Sequence, residues 1–309
     1  MVKKIKIYKN FSVLKKYKKS IILIGNFDGV HIGHQKLFKL AKKFKKKHKL
    51  KMGVVNFNPM PKMYFFKKIK NFKITNKNQK NNLFSKLDVD FIITKKFDKK
   101  FSKIKSDFFI KNILFKKLNP KFIFVSNNFK FGNKREGDVN QLISCEKLYD
   151  YKIIKPHPLK RGKKVISSSL IRDLLSNGNL SKANKFLGRN WTVESIVEKG
   201  RQQGKKIGFP TCNLSMKDYI IAKPGVYKVK IREKNKKRIF RGIANLGYRP
   251  TFNQKKLLLE VHIFNFSGNL YNKYLSVEFI KFIRKEKKFK NVKELKKQIK
   301  DDLKIARQY

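Results

Sequence analysis

The first half of the chain alternates between short apolar runs of strand length and longer segments with helical periodicity. The runs "IILIGNF", "KMGVVNF", "VDFIITKKF" and "KFIFVS" are separated by segments such as "HQKLFKLAKKF" and "SDFFIKNILFKKL". Such alternation is typical of units in which a helix connects two parallel strands and covers the sheet. The order of elements therefore predicts an α/β domain with a Rossmann-like parallel sheet.

The pattern changes near residue 190. The stretch "SSSLIRDLLSNGNLSKANKFLGRN" predicts two short helices, with serines suited to the first turn and Gly178 and Gly188 as stops. From Trp191 onward, short runs such as "GVYKVKIRE", "RIFRGIANLG" and "LSVEFIKFIR" are separated by turn-forming residues. Short strands at this spacing favour an antiparallel barrel or sandwich, and we expect the barrel.

A last helix is predicted to begin at Asn291. Glu294 stands three residues later, as in a capping box, and the apolar stripe expected to be buried is Val292, Leu295, Ile299 and Leu303. No internal repeat is visible. We therefore predict two domains, 1–185 and 186–309, the first an α/β domain and the second an antiparallel β-barrel with a C-terminal helix.

The composition is strongly basic, with a formal net charge of +59 over 309 residues. Lysine is spread over every predicted element, as in "KKFKKKHKLK" and "KNVKELKKQIK", whereas a polyanion-binding protein usually gathers its cations on one face or in a tail. Base readout and bidentate phosphate binding also favour arginine over lysine. We therefore expect no nucleic-acid partner, and a basic nucleic-acid-binding protein is the less favoured alternative.

The cysteines and the apolar runs indicate the compartment. The chain has two cysteines, Cys145 and Cys212, which lie far apart and form no C-x-x-C pair, so neither a disulfide framework nor a zinc cluster is supported. No apolar stretch approaches the roughly 20 residues that span a bilayer, and the basic N-terminus has no apolar segment after it. We expect a soluble cytoplasmic protein without a membrane partner, as a monomer or weak homo-oligomer.

The stretch "GNFDGVHIGH", residues 25–34, directly follows the apolar run "SIILI". It stands at the carboxyl end of a predicted central strand, where open α/β sheets bind ligands and the N–H groups of a helix start face an anion. His31 and His34 can donate hydrogen bonds to phosphate oxygens as charge builds up there. The alternative is that one histidine caps the helix and the other fills a polar pocket. The spacing H-x-G-H after a strand favours phosphate binding.

This stretch resembles the signature of the nucleotidyltransferase superfamily. From about residue 20 to the C-terminus, the chain resembles bacterial bifunctional riboflavin kinases/FMN adenylyltransferases. The resemblance implies that the chain phosphorylates riboflavin to FMN in its second domain and transfers AMP to FMN in its first, giving FAD, with ATP as co-substrate. A nucleotidyltransferase with one activity on another small phosphorylated substrate is the alternative, and it leaves the motifs of the second half unexplained.

The resemblance also implies the residues of the adenylyltransferase site. His31 and His34 would be catalytic and hold the ATP phosphates, while "VSNNFKFGNKREGD" would form the flavin and adenine loop and "ISSSLIR" a second phosphate motif. ATP binding is implied for Gly25, Phe27, Asp28, Gly33, Ser168, Ser169 and Arg172, and flavin binding for Asn128, Phe129 and Phe131. Hydroxyls and N–H groups at a helix start beside a guanidinium suit an anion, although a serine-rich helix start is by itself an ordinary cap.

Two positions depart from the family pattern. Ser126 stands where the family usually has glycine, and Met60 stands in "FNPMP" where histidine is common. The main phosphate-binding residues match the family pattern.

The stretch "GRQQGKKIGFPTCN", residues 200–213, is not a P-loop. Only three residues separate its first two glycines, and Lys206 stands where a Ser or Thr would have to bind magnesium. It resembles instead the riboflavin kinase motif, followed in the family's order by "PGVY", "GIANLGYRPTF" and "LEVHIF". The resemblance implies ATP binding by Gly208, Pro210, Thr211 and Asn213. Thr211 and Asn213 would also hold Mg²⁺, which prefers oxygen ligands.

Glu260 is a carboxylate in the apolar strand "KLLLEVHIFNF". The strand period of two places it on one face with Leu258, His262 and Phe264. An unpaired buried carboxylate is costly, so Glu260 needs a cation, a hydrogen-bond donor or a chemical role. A lysine partner is one possibility, and the resemblance implies another, the general base for the 5′-hydroxyl of riboflavin. Arg284 similarly matches a family position near the flavin.

Overall fold

The computed structural model describes residues 5–200, 202–217, 219–250 and 255–308. The chain divides into two compact units, one made of Met1–Ile69 and Lys80–Ser167 and the other of Lys70–Gln79 and Ser168–Tyr309. Thr251 and Phe252, which end the stretch "GIANLGYRPTF", lie outside the described residues.

The strands and helices follow in chain order. The strands are β1 (Lys6–Tyr8), β2 (Ile21–Ile24), β3 (Met52–Asn58), β4 (Phe91–Lys96), β5 (Phe122–Phe124), β6 (Lys130–Phe131), β7 (Gly137–Asp138), β8 (Lys152–Ile154), β9 (Lys160–Arg161), β10 (Lys164–Val165), β11 (Thr192–Glu198), β12 (Cys212–Ser215), β13 (Gly225–Glu233), β14 (Ile239–Pro250), β15 (Lys255–Ile263) and β16 (Tyr274–Lys285). The helices are α1 (Ile32–Lys47), α2 (Pro61–Phe65), α3 (Lys77–Lys86), α4 (Lys99–Ser102), α5 (Ser106–Phe108), α6 (Val139–Ser144), α7 (Glu146–Tyr149), α8 (Ser168–Ser176), α9 (Leu180–Leu187), α10 (Gln203–Lys206) and α11 (Val292–Arg307). Short 3₁₀ turns occur at Lys15–Tyr17, Asp28–Val30 and Asn133–Arg135, and α5 continues into a π-helical segment at Phe109–Leu118.

The first unit contains a six-stranded sheet in the order β1-β4-β3-β2-β5-β8, and each neighbouring pair is parallel. The strand β2 is buried at all four residues. One apolar core, on the α1 side, includes Phe38 and Ala41, and a second core includes Ile110 and Leu114 of the π-helical segment. Burial of strands on both faces is the usual reason why parallel strands are almost continuously apolar. The predicted Rossmann-like parallel sheet is confirmed.

The second unit contains a closed antiparallel barrel in the order β11-β12-β15-β14-β13-β16. Closure gives each of the six described barrel strands a hydrogen-bonded neighbour on both sides. Along β15, Leu259 and Val261 are almost fully buried, while Glu260 between them is partly exposed. The predicted barrel and its C-terminal helix are confirmed.

The helix α11 begins where the sequence predicts. The Asn291 side chain accepts a hydrogen bond from the N–H of Glu294 at 2.9 Å, but the Glu294 carboxylate accepts from the N–H of Lys290 rather than from that of Asn291. The predicted buried stripe is wrong at its first residue, because Val292 is 54% exposed in the first turn, whereas Leu303 is buried. The apolar stripe is thus covered only in the later turns of the helix.

The segment 70–79 is part of the barrel unit, although it precedes that unit's other residues in the chain by about ninety positions. The N–H of Ile220 donates to the carbonyl of Lys73 at 2.8 Å, and the indole N–H of buried Trp191 donates to the carbonyl of Ile74 at 3.1 Å. These long-range bonds attach the segment to the rest of the barrel unit. The sequence analysis did not predict this association.

Gly53 lies in the middle of β3 and provides a test of the packing in the first unit. A Cβ atom added to Gly53 would overlap the ring of Phe91 on β4. We expect Gly53→Ala to destabilise the protein by about 1–3 kcal/mol through overpacking. The double variant Gly53→Ala/Phe91→Leu should regain part of the loss. Urea unfolding followed by circular dichroism measures both, and a wild-type midpoint for the single variant would contradict the packing described.

Candidate active sites

The loop after β2 is shaped by an aromatic ring and a glycine. Phe27 has a φ of 47°, and its buried ring packs 5.1 Å from the ring of Phe38 and 5.2 Å from that of His34. A Cβ atom at Gly25 would lie only 3.0 Å from the Phe27 ring. Asp28, also buried, begins the short 3₁₀ turn that leads to α1. The backbone of this loop therefore lies at the carboxyl end of the central strand β2, as the sequence predicts.

His31 and His34 lie against each other at the start of α1. Their rings are stacked with centroids 3.6 Å apart, and the His31 Nδ1 accepts a hydrogen bond from the N–H of His34 at 3.3 Å. His31 thus caps α1, as in the capping alternative of the sequence analysis. That alternative accounts for Nδ1, one of the two ring nitrogens of His31. A Cβ atom at Gly33 would lie 3.1 Å from the His31 ring, which explains why the residue between them is glycine.

The electrostatic environment of His34 favours a neutral imidazole. Burial is the main factor that lowers the pKa of His34 well below its usual value, and the nearby His31 and Lys80 lower it further. The His34 Nδ1 is buried and, among the residues that the structure describes, makes no hydrogen bond. The Lys80 ammonium donates to the carbonyl of Asn26 at 3.1 Å. The sequence analysis missed Lys80, which stands about fifty residues from the loop and carries no motif.

The predicted flavin loop combines a buried ring with a more exposed one. The rings of Phe129 and Phe131 are stacked, with centroids 5.6 Å apart and an interplanar angle of 19°. Phe131 is 8% exposed and packs on Phe109, whereas Phe129 is partly exposed and Asn128 is exposed. Gly132 follows with a φ of 78°. Phe131 is therefore a core residue that supports the Phe129 ring.

Another polar residue lies at the carboxyl end of β3 and was missed by the sequence analysis. Asn56 is 1% exposed, and its Nδ2 has no hydrogen-bond partner in the described part of the chain. Met60, four residues later, is buried at the N-cap position of α2 without a capping side-chain hydrogen bond, whereas Ser126 is exposed. The replacement of a family histidine at position 60 therefore places an apolar side chain in the interior.

The predicted second phosphate motif belongs to the barrel unit. Ser168 begins α8, Ser169 is exposed, and Arg172 lies one turn further along the helix. The Arg172 Nε donates to the carbonyl of Phe72 at 2.8 Å, and the guanidinium lies 3.6 Å from the centroid of the Phe72 ring. The segment 70–79 thereby fixes the orientation of this arginine.

Glu260 is flanked by two amide side chains. The strand register pairs it with Asn213 on β12 and with Asn245 on β14, and residues directly opposite in a sheet share a face. Asn213 is 7% exposed, and its buried Oδ1 accepts no hydrogen bond from any described residue. A Cβ atom at Gly200 would overlap the Asn213 amide, so glycine at this position allows the backbone to lie close to the Asn213 side chain.

Two cavities of about 550 Å³ each meet at Thr211. The first is lined by Glu260, Arg284 and residues of α11, and the second by Pro210 and Cys212 among others, while Thr211 lines both. Burial raises the pKa of the Cys212 thiol to about 12, so the thiol is protonated and unreactive at neutral pH. The hydroxyl group of Thr211 thus belongs to a residue shared by two cavities, each large enough for a small molecule.

The loop that leads to Thr211 is open at Gly208. This residue has a φ of 89°, a conformation that favours glycine, and it is exposed with free space around its Cα. Pro210 is likewise exposed. The loop thus presents its backbone beside the cavities.

Arg284 forms part of the wall of the first cavity. Its Nε and NH2 donate to the two carboxylate oxygens of Asp302 on α11 at 2.8 and 2.7 Å, and Asp302 is 1% exposed. A bidentate pair of this kind fixes the guanidinium plane. Glu286, two residues later, lines the same cavity, and burial raises the pKa of its carboxyl group. The sequence analysis missed both acids, although the strand period places Glu286 on the Arg284 face.

Within the described residues, no helix is both long and apolar enough to cross a membrane.

The sequence matches two family models in succession. The FAD synthetase family matches residues 14–170, and the riboflavin kinase family matches residues 187–309. Curated relatives named bifunctional riboflavin kinase/FMN adenylyltransferase are found along nearly the whole chain. Those from Buchnera aphidicola subsp. Acyrthosiphon pisum, Haemophilus influenzae and Escherichia coli K12 are 39%, 36% and 33% identical, covering 94%, 93% and 94% of this chain and 93%, 93% and 92% of the relatives.

A solved structure also matches over the full chain. It is described as a macrolide-efflux protein from Streptococcus pneumoniae, with a TM-score of 0.84, 28% identity and coverage of 98% of each chain. The description applies to the pneumococcal protein. For this chain, the match supports the observed order of elements.

The environment of His34 generates a testable titration. We expect the imidazole of His34 to titrate well below about pH 6.5 in ring-proton NMR, because burial and neighbouring cations disfavour its charged form. Lys80→Met should raise the midpoint, since it removes one cation. Because the unfolded chain binds this proton at higher pH than the folded chain, stability should decrease as the pH falls below about 6.5. A midpoint at or above 6.5 would contradict the described burial.

Proposed function

The chain belongs to the family of bifunctional riboflavin kinase/FMN adenylyltransferases, and from this membership we propose which of its residues carry each reaction. The enzyme phosphorylates riboflavin with ATP to give FMN, and it transfers AMP from ATP to FMN to give FAD and pyrophosphate. We assign adenylyl transfer to residues 1–185 and riboflavin phosphorylation to residues 186–309. Both assignments follow the order of the two family matches.

For adenylyl transfer, we assign charge stabilisation to His31 and His34. An oxygen of the FMN phosphate attacks the α-phosphorus of ATP, pyrophosphate leaves, and negative charge develops on the phosphoryl oxygens. The stacked imidazoles at the start of the 16-residue helix α1 support this role, because ring and backbone N–H groups converge where a helix attracts anions. A bound phosphate raises the pKa of His34, which offsets the lowering that burial and the neighbouring cations cause in the free protein.

The remaining residues of this site would shape and orient the substrates. Gly25, Phe27, Asp28 and Gly33 form the loop, and its glycines allow a phosphate to approach the backbone. Phe129, stacked on buried Phe131, would offer its exposed face to the flavin ring, with Asn128 beside it. Triphosphate binding by Ser168, Ser169 and Arg172, which belong to the barrel unit, stays a prediction from the family resemblance. The fixed orientation of Arg172 on Phe72 supports this role, since less side-chain freedom is then lost on binding.

For the kinase reaction, we assign the general base to Glu260. Its carboxylate accepts the proton of the riboflavin 5′-hydroxyl, the oxygen attacks the γ-phosphorus of ATP, and ADP leaves. The observation that carries this proposal is the position of Glu260 in the wall of a 550 Å³ cavity that meets a second cavity at Thr211. We propose that the first cavity, which Arg284 also lines, takes riboflavin and that the second takes ATP beside Gly208 and Pro210.

The residues near Glu260 also fit a magnesium ion. The buried Oδ1 of Asn213 has no partner among the described residues, and the hydroxyl of Thr211 supplies a second neutral oxygen nearby in sequence. Such oxygens, together with phosphate oxygens and water, are what Mg²⁺ prefers. Asn213 and Thr211 would hold the ion, which would supply positive charge that offsets the charge developing on the phosphates.

Three finer expectations stay predictions. They are that the enzyme acts in the cytoplasm, that it is a monomer or a weak homo-oligomer, and that it has no nucleic-acid partner.

The assignment of His34 predicts a selective loss. His34→Ala should reduce FAD formation from supplied FMN by about 10²- to 10³-fold, because a donor to the developing charge is removed. FMN formation from riboflavin should be unchanged, as should both activities of the control His157→Ala, whose side chain is exposed. Chromatographic separation of the flavins measures both reactions. An equal loss of both would refute separate sites.

The assignment of Glu260 predicts the reciprocal loss. Glu260→Gln should reduce FMN formation by roughly 10²- to 10⁴-fold, because the amide keeps the shape of the side chain but cannot accept the proton. FAD synthesis from supplied FMN should continue. A purely structural ion pair would instead give a loss of stability of about 3–5 kcal/mol. Kinase activity near normal per folded molecule, with a lowered melting temperature, would sink the proposal. Glu233→Gln, on another barrel strand, is the matched control.

A further inference from the structure

His262 stands two residues after Glu260 on the same face of β15, and it lines the same cavity. Its Nδ1 lies 2.8 Å from the carbonyl oxygen of Pro210. A carbonyl oxygen can only accept a hydrogen bond, so Nδ1 must carry the proton of this bond. The His262 side chain on β15 thus binds the backbone of the loop that ends at Thr211.

The bond lies where the strand pairing stops. The ladder between β12 and β15 pairs Asn213 with Glu260 and ends at Cys212 with Val261. Thr211 and Pro210 precede β12 and are exposed, and Pro210 has no N–H with which to extend the ladder. The His262 side chain therefore makes a contact to the segment just beyond the last paired residue.

Among the described residues, the loop before Thr211 has backbone hydrogen bonds within itself, and its Phe209 side chain packs against the apolar cluster of Val226, Ile243, Leu303 and Ala306. The N–H of Phe209 donates to the carbonyl of Gly204 at 2.8 Å, and a Cβ atom added to Gly208 would meet no atom of the described non-neighbouring residues within 4 Å. The Phe209 ring packs edge-on against His262, with centroids 6.0 Å apart. His262 thus contacts both Phe209 and Pro210, the two residues that lead into Thr211.

We propose that His262 is a positioning residue of the kinase reaction, which acts by holding Pro210 so that the Thr211 hydroxyl stays in register with the Glu260 carboxylate. The inference rests on the proposed roles of Thr211 and Glu260. Reacting groups must be held closely, and a displacement of about 1 Å costs up to about 10²-fold in rate. The hydrogen bond from His262 to the loop supplies this constraint, and His262 lies on the same strand as the proposed base Glu260.

Two substitutions separate the hydrogen bond from the ring. His262→Phe keeps a ring of similar size but removes the donor, and we expect the kcat of FMN formation to fall about 10- to 100-fold. His262→Asn places an amide N–H close to the position of Nδ1 and should recover most of that loss. FAD formation from supplied FMN should be unchanged in both variants. Fluorescence of Trp191, the single tryptophan of the chain and a buried residue of the barrel unit, checks that the barrel is folded.

Thr211→Ala, measured in parallel, distinguishes the two possible failures. The proposal predicts low kinase activity for Thr211→Ala and His262→Phe and recovery for His262→Asn. If Thr211→Ala is inactive while His262→Phe has the wild-type kcat, the inference about His262 is wrong and the proposed function stands. If His262→Asn is as impaired as His262→Phe, the hydrogen bond is not the cause and the inference is also wrong. Full activity of Thr211→Ala would overturn both the role of Thr211 and the inference built on it.

Discussion

The pairing of β12 with β15 is the constraint on which the barrel site depends. Its register sets Asn213 opposite Glu260, and the pairing of β15 with β14 sets Asn245 on the other side. The register thereby places the backbone of Glu260 between two residues that carry amide side chains. The β12–β15 ladder ends at Cys212, and Thr211, which precedes Cys212 in the chain, lines both cavities. The same ladder therefore sets the strand position of the acid and ends beside the loop.

The first unit meets a similar requirement with a parallel sheet. Its central strand β2 is fully buried, and the chain leaves it through a loop with positive φ at Phe27, Gly29 and Val30 before entering α1. The rings of His31 and His34 are stacked at the start of α1. Burial favours the neutral form of the His34 imidazole, and the His34 Nδ1 has no hydrogen-bond partner among the described residues. Both features are energetically unfavourable. Unfavourable burial of this kind is typical of groups that are completed by a ligand.

Local patterns in the sequence predicted the elements well, because periodicity reports which face of a strand or helix is apolar. They predicted the parallel sheet, the barrel, the start of α11 at Asn291 and the shared face of Glu260 and His262. They assigned both His31 and His34 to phosphate binding, and the structure stacks the two rings at the start of α1. Val292 was assigned wrongly because periodicity does not show where a helix first meets its neighbour.

Contacts between distant parts of the chain could not be predicted in this way. Neither the association of residues 70–79 with the barrel, nor the pairing of Arg284 with Asp302, nor the bond from His262 to Pro210 has a signal in local sequence. Each joins residues at least 18 positions apart, and lysines are so frequent in this chain that charge does not mark partners.

The central claim is that two separate sets of residues carry two successive reactions. The most direct measurement mixes the His34→Ala and Glu260→Gln variants in equal amounts with riboflavin, ATP and Mg²⁺ and follows FMN and FAD in solution. Each variant should supply the reaction that the other lacks, so FMN should appear first and FAD should then form well above the sum of the two variants alone. Accumulation of free FMN without FAD in the mixture would contradict the claim.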